Sequence, residues 1–201
     1  MEEDLSFNNG NIRLEGRLDQ KEGNKGVVIT HPHPLYGGNM NTPVVGEMVK
    51  VFARKNYTTL RFNFRGTGKS TGMFDNGNGE TDDVRSALAH LKSLGVQDLT
   101  LAGYSFGARV NAAVVASGEK VSDHLMISPP VAFMSFDTIK TMPSTGLVVT
   151  GSRDDIAPET QVREQLAKWD CQAQFKVIPD CDHFYGGCLQ TLNDLLLNYL
   201  S

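Results

Sequence analysis

The stretch from Leu99 to Ala116 limits the possible folds more than any other part of the chain. An apolar, β-like segment ends at Gly103, and an Ala/Val-rich, helix-like segment begins just after Ser105. Between them stands Gly103-Tyr104-Ser105-Phe106-Gly107. A strand that turns straight into a helix through G-x-S-x-G needs small residues on both sides of the turn, and it lifts the serine hydroxyl clear of the sheet. With 12 serines and 20 glycines in 201 residues, chance supplies about 0.12 such matches. The motif alone is therefore weak, and the rest of the chain has to supply its partners.

The flanking segments predict alternating strands and helices. Leu5 to Gln20 reads as a β-hairpin turning at Asn9-Gly10, with Ile12, Leu14, Gly16 and Leu18 on one face. Gly26–Thr30 is a short apolar strand, followed by the loop His31-Pro32-His33-Pro34-Leu35-Tyr36-Gly37-Gly38. A helix opens at Thr42-Pro43 and runs to Lys55-Asn56. Tyr57–Phe64 is a strand leading into a Gly-rich loop, and Thr81–Leu94 a helix. Beyond the central motif, strands are expected at His124–Ser128, Gly146–Thr150 and Ala173–Ile178, and helices at Pro158–Trp169 and Gly187–Leu200. No repeat or linker divides the chain, so the expectation is one domain over residues 1–201: an α/β fold with a doubly wound, mostly parallel eight-stranded sheet, an antiparallel N-terminal edge hairpin and helices on both faces.

In such sheets reactive groups collect at the carboxyl ends of the strands. Ser105 follows one strand, Gly151-Ser152-Arg153-Asp154-Asp155 a second, and Asp180-Cys181-Asp182-His183 a third. A serine hydroxyl is a poor nucleophile until an imidazole takes its proton, and the imidazole needs a carboxylate to fix its tautomer. His183 is the base by position. Asp154 is favoured as the acid over Asp155, whose bland role is an exposed carboxylate, and Asp180 and Asp182 lie too near His183 along the chain.

The segments Thr30–Gly38, Leu60–Ser70, Gly103–Gly107, Gly151–Asp154 and Asp182-His183-Phe184 resemble the α/β-hydrolase superfamily, in particular small cap-less serine hydrolases similar to dienelactone-hydrolase-like bacterial esterases. The resemblance implies an oxyanion hole of two backbone amides. One belongs to Phe106, next after the serine. The other comes from the loop after the Gly26–Thr30 strand, where Pro32 and Pro34 have no N–H and His33, Leu35 or Tyr36 remain; Leu35 is favoured. The resemblance also implies a cleavage of carboxylic ester or thioester bonds through an acyl-enzyme on Ser105, with no cofactor and no metal. Pro129–Thr145 leaves room for only one short helix where relatives carry a lid, so the site is expected to be open unless a second subunit, as in a homodimer, covers it. Leu35, Tyr36, Met73, Phe74, Val131, Phe133, Phe184 and Tyr185 lie in loops on the active edge. They either line an acyl pocket, with Tyr36, Phe133 and Phe184 foremost, or pack the loops down.

Other readings are weaker. Asn63–Ser70 comes within one residue of a phosphate-binding loop, but no helix opens at Gly68-Lys69-Ser70. Cys181, His183 and Cys188 lack paired ligand spacing for zinc, and His31 and His33 shape their loop better than they hold a metal. A net charge of −4 gives no footprint for nucleic acid or anionic membrane, and no apolar run is long enough to span a bilayer. Three cysteines and an acidic start, Met1-Glu2-Glu3-Asp4, fit free thiols in the cytoplasm. The alternatives to an esterase are an acyltransferase or peptidase using the same three residues, and a non-catalytic binding protein of the same fold.

Overall fold

A computed structural model describes residues 2–201. The order is β1 (Glu3–Asn9), β2 (Ile12–Asp19), β3 (Lys25–Thr30), α1 (Pro43–Arg54), β4 (Thr58–Phe62), α2 (Asn78–Ser93), β5 (Asp98–Tyr104), α3 (Phe106–Ala116), β6 (Asp123–Ile127), β7 (Thr145–Gly151), α4 (Glu159–Leu166), β8 (Gln174–Ile178) and α5 (Leu189–Tyr199). The eight strands form one sheet in the order β1-β2-β4-β3-β5-β6-β7-β8. β1 and β2 pair antiparallel, β2 joins β4 antiparallel, and every later pairing is parallel.

The period-2 alternation of a strand sends neighbouring side chains to opposite faces. Val28, Leu101, Met126 and Val148 enter one core, with side chains from α2, α3 and α4. Their neighbours Val27, Ile29, Ala102, Tyr104, Leu125, Ile127, Leu147 and Val149 enter the other, with α1 and α5. Strands buried on both faces read as continuous apolar runs, which is why β3, β5, β6 and β7 were visible without an alternating pattern.

Three departures from the sequence reading exceed two residues. α2 begins at Asn78, one turn before Thr81, because the chain reverses at Asn76 (φ 53°) and Gly77 (φ 95°) and the Glu80 carboxylate accepts the Asp75 and Gly77 amides at 2.9 and 2.8 Å. α4 stops at Leu166, so Trp169 reaches the core from the turn beyond it. Pro129–Ser144 forms no helix. It runs as turns held down by buried Phe136, Ile139 and Met142, and among the described residues no lid rises over the sheet's carboxyl edge.

Candidate active site

Ser105 sits between β5 and α3 at φ 54°, ψ −118°, a left-handed conformation that costs a non-glycine residue energy. The surrounding backbone holds it there. Its N–H donates to Ile127 O at 2.9 Å, and its carbonyl accepts the Arg109 N–H at 3.1 Å. The two flanking glycines supply space rather than unusual φ. A Cβ on Gly107 would lie 2.5–2.7 Å from Thr30, and one on Gly103 would lie 2.6 Å from the Ala108 nitrogen. Helix α3 is thereby pressed onto β3, and its first amides, which lack intrahelical acceptors, follow Ser105 directly in the chain.

Asp154 and His183 arrive on loops that are tied to each other. The Arg153 N–H donates to Cys181 O at 2.9 Å, and Gly151 lies so close to that carbonyl that a Cβ would stand 2.1 Å from it. Asp154 is 3% exposed, whereas Asp155 points into solvent. The Asp154 Oδ1 accepts the Ile156 and Ala157 amides at 3.0 and 2.7 Å, which orients the carboxylate before any side chain acts on it. The Tyr104 hydroxyl donates to His183 O at 2.7 Å and fixes the base from below.

His183 Nδ1 lies 2.9 and 3.0 Å from the two Asp154 oxygens, and Nε2 lies 3.0 Å from Ser105 Oγ. An ionised carboxylate only accepts, so the imidazole proton sits on Nδ1 and the Nε2 lone pair faces the serine hydroxyl. Burial pushes the Asp154 carboxyl up, but the hydrogen bonds and charge of His183, with those of Ser128 and the Ala157 amide, bring it below the ordinary carboxylate value. The arrangement can take a proton from the hydroxyl and hold the resulting imidazolium against a fixed negative charge.

The serine opens into a cavity of about 590 Å³ lined by His33, Tyr36, Phe106, Pro130, Phe133, Met134, Ile156, His183 and Phe184 among others, with no Lys, Arg, Asp or Glu among the described residues of its wall. Tyr36, Phe133 and Phe184 thus stand at the cavity and remain 87%, 73% and 73% exposed at its rim. Tyr185 does not join them; it is buried in the core beneath His183. Leu35 faces a different cavity of about 520 Å³ on the other side of the Pro34–Gly38 turn, together with Phe74, Asn63 and Lys69.

The Leu35 amide is also spent. It donates to His33 Nδ1 at 3.3 Å, because Pro34 starts a short 3₁₀ turn (Pro34–Tyr36) and His33 becomes its cap. The Tyr36 and Gly38 amides go to His33 O and the Gly37 amide to Pro34 O. The expectation for Leu35 therefore gives way: between Pro32 and Gly38, the N–H that finds no acceptor among the described residues is that of His33, which lines the Ser105 cavity. Prolines on both sides of a histidine were the signal, since the second opens a turn that makes the histidine its cap. The His33 ring packs against Tyr36, Phe74 and Phe106, and burial lowers its pKa, so it is a neutral clip for the loop. His31 is wholly buried. Its Nδ1 meets Pro32 O at 2.6 Å, and its Nε2 accepts the Phe64 N–H at 3.0 Å. The Gly-rich loop spends its polar groups internally, with the Lys69 N–H on Glu15 and the Ser70 hydroxyl on Asn63 O.

A family model described as an alpha/beta hydrolase domain matches residues 25–189, the span that holds every element from β3 to the start of α5. The chain belongs to the alpha/beta hydrolase family. Within that family it is similar to a Coxiella burnetii alpha-beta serine hydrolase homologue, 35% identical with a TM-score of 0.93, covering 99% of this chain and 97% of that one. It is also similar to a Xanthomonas campestris serine hydrolase described as without lid, 29% identical with a TM-score of 0.89, covering 99% and 93% of the two chains. An uncharacterized Rickettsia prowazekii protein is 33% identical over 98% of this chain and 87% of its own length. No helix among the described residues is long and apolar enough to cross a membrane.

Proposed function

We propose that this alpha/beta hydrolase is a serine hydrolase cleaving carboxylic ester or thioester bonds of small, uncharged acyl substrates. The observation that carries the reading is the hydrogen-bonded line Ser105–His183–Asp154 opening into an apolar cavity. Ser105 Oγ attacks the acyl carbon while His183 Nε2 takes its proton. The Phe106 and His33 N–H groups hold the oxyanion that develops on the carbonyl oxygen. Asp154 keeps the imidazole in the reactive tautomer and supports its charged form. His183 then passes the proton to the departing oxygen or sulfur, leaving the acyl group on Ser105. Water, deprotonated by the same imidazole, releases the acid and restores the serine.

The absence of charged side chains in the cavity wall argues against acyl groups that carry a carboxylate, because nothing there would compensate its loss of hydration. Tyr36, Phe133, Met134, Ile156 and Phe184 instead offer apolar and aromatic surface to a neutral chain or ring. The test is an acyl series of p-nitrophenyl esters and matched thioesters, run on wild type and Ser105→Ala with fluorophosphonate labelling in parallel. The expected outcome is turnover of neutral acyl esters, discrimination against acyl groups bearing a carboxylate, and loss of both turnover and labelling in Ser105→Ala without a shift in thermal unfolding. Turnover that survives Ser105→Ala would overturn the reading.

A further inference from the structure

We propose that the cavity of about 520 Å³ beside the Ser105 cavity is a second binding site, for an uncharged polyhydroxylated group, and that it takes the alcohol part of the ester, a sugar or a similar polyol. The inference rests on the ester-cleaving role proposed for Ser105. The cavity lies between three segments: Glu15 on β2, residues 34–41 after β3, and residues 63–74 after β4. Hydrogen bonds build its floor. Asn63 is 3% exposed; its Oδ1 accepts the Met40 N–H at 2.8 Å, and its Nδ2 donates to Glu15 Oε2 at 2.8 Å. The Lys69 N–H donates to the same Glu15 oxygen at 2.8 Å. Gly68, at φ 57°, lets the loop close onto this floor, because a Cβ there would collide with Asn63 Nδ2 and stand 2.6 Å from Glu15 Oε2. The three segments are thus tied together before anything binds, which lowers the cost of ordering the site.

Several polar groups of this wall remain unspent. Glu15 Oε1, the Asn41 side-chain amide, the Lys69 ammonium and the Gly68 N–H have no partner among the described residues. Leu35 and Phe74 add apolar surface beside them. One carboxylate and one ammonium leave the wall without net charge. A phosphate would lie against Glu15, which already takes the Lys69 N–H that a phosphate-binding loop would offer. A cation would meet Lys69. A hydroxyl both donates and accepts, so a polyol can use the carboxylate, the ammonium and the amide together, with its C–H surface on Leu35 and Phe74. The Ser105 cavity has the opposite character, with no Lys, Arg, Asp or Glu among the described residues of its wall. The two cavities share Gly37 and Gly38. A Cβ on Gly37 would meet nothing within 4 Å, so the ridge between them carries no side chain at that point. Phe74 joins them from the other direction, its ring 5.0 Å from that of His33 and 5.6 Å from that of Phe106, the two residues whose amides hold the oxyanion in the proposed reaction. An ester with its acyl chain in the apolar cavity can therefore pass its alcohol over Gly37 into the polar one.

Glucose monobutyrate and ethyl butyrate share an acyl group and differ only in the alcohol. Asn41 and Lys69 are exposed, and their side chains bond to nothing among the described residues, so Asn41→Ala/Lys69→Ala removes partners for the ligand and leaves the floor intact. The readout is the ratio of kcat/KM for the two esters. The wild-type ratio is expected to favour the glucose ester, and the double variant to lower it about tenfold, mainly through KM. In parallel, methyl glucoside is titrated into Ser105→Ala and the amide chemical shifts are followed. The Gly37, Gly68 and Lys69 amides are expected to move, and to stay in place when Asn41→Ala/Lys69→Ala is added. If wild type turns over both esters through Ser105 but does not prefer the glucose ester, or the double variant keeps the ratio, the assignment is overturned while the main reading stands. If neither ester is turned over through Ser105, the main reading falls and the role in holding the alcohol falls with it. Shifts at those three amides then keep the polyol site, and their absence removes it.

Discussion

Two neighbouring carboxylates, Asp154 and Asp155, differ in everything that decides function: one is buried against His183 with two amides on Oδ1, and the other faces solvent. Asp154→Asn keeps the shape but replaces an oxygen that can only accept with an amide that can donate, which favours the wrong tautomer of His183. On the proposed mechanism kcat falls on the order of 10³–10⁴-fold, whereas Asp155→Asn stays within about twofold. Parallel ester kinetics of the two variants decide the point, and the reverse ranking would reassign the acid. The His33 amide has an equally direct test. His33 already has φ −58°, which proline adopts without strain, so His33→Pro deletes the N–H and keeps the carbonyl that accepts Tyr36 and Gly38. His33→Ala deletes the imidazole cap and keeps the N–H. The expected loss in kcat is about 10²-fold for His33→Pro and clearly less for His33→Ala; equal losses would assign the role to the ring. Ser105, Asp154 and His183 were legible because each follows its own strand. The competition for amides in the 31–38 loop was not, because it depends on one imidazole nitrogen turning back to meet Leu35.

At the level of elements, the same residue type does opposite things in two helices. Gly107 opens the packing of α3 onto β3, and Gly103 does the same from the strand side; a methyl group at either would meet backbone atoms closer than 3.0 Å. Gly103→Ala and Gly107→Ala are each expected to destabilise by about 1–3 kcal/mol, since backbone cannot step aside as a flexible side chain can. They should also slow Ser105 labelling, because the turn that aims the hydroxyl moves with them. Gly46 lies inside α1 with nothing within 4 Å of its missing Cβ and no positive φ. Gly46→Ala should stabilise by about 0.5–1 kcal/mol through helix propensity alone. Thermal unfolding of the three variants separates close approach from mere tolerance, and a stabilised Gly107→Ala would refute the packing argument. Every strand and helix expected from periodicity forms, because two-face burial writes long apolar runs and one-face burial writes the 3.6 pattern of α1 and α5. The ends were less legible. The start of α2 is set by Glu80 reaching back to two amides, and the Pro129–Ser144 segment spends its apolar residues on the core instead of on a helix face.

Across the whole molecule, two buried histidines outside the Ser105–His183–Asp154 line are expected to carry much of the acid sensitivity. His31 and His124 are both wholly buried, and burial lowers them from the ordinary 6.5 to about 4 and about 3. Each binds its proton later in the folded state than in the unfolded chain. Their contribution is therefore complete above the unfolded value of 6.5 and is lost as the pH falls through the window down to the folded values. By pH 4 each withdraws about 3 kcal/mol, and the unfolding midpoint is expected to drop by roughly 10–20 °C between pH 6.5 and pH 4. The structural cost of protonation is visible. His31 would lose the lone pair that accepts the Phe64 N–H, and His124, bonded through Nδ1 to Thr145 Oγ1 at 2.9 Å, has no partner among the described residues for a proton on Nε2. Asp123, raised by burial, acts with the opposite sign, so the wild-type slope alone does not isolate the histidines. His124→Asn does, because an amide in the place of Nδ1 can keep the Thr145 contact and cannot titrate. Its midpoint should fall about half as steeply over the same range as that of wild type, while its labelling by fluorophosphonate at neutral pH stays unchanged. An equal slope in the variant would mean that the acid sensitivity lies elsewhere, in the carboxylates that the fold holds ionised.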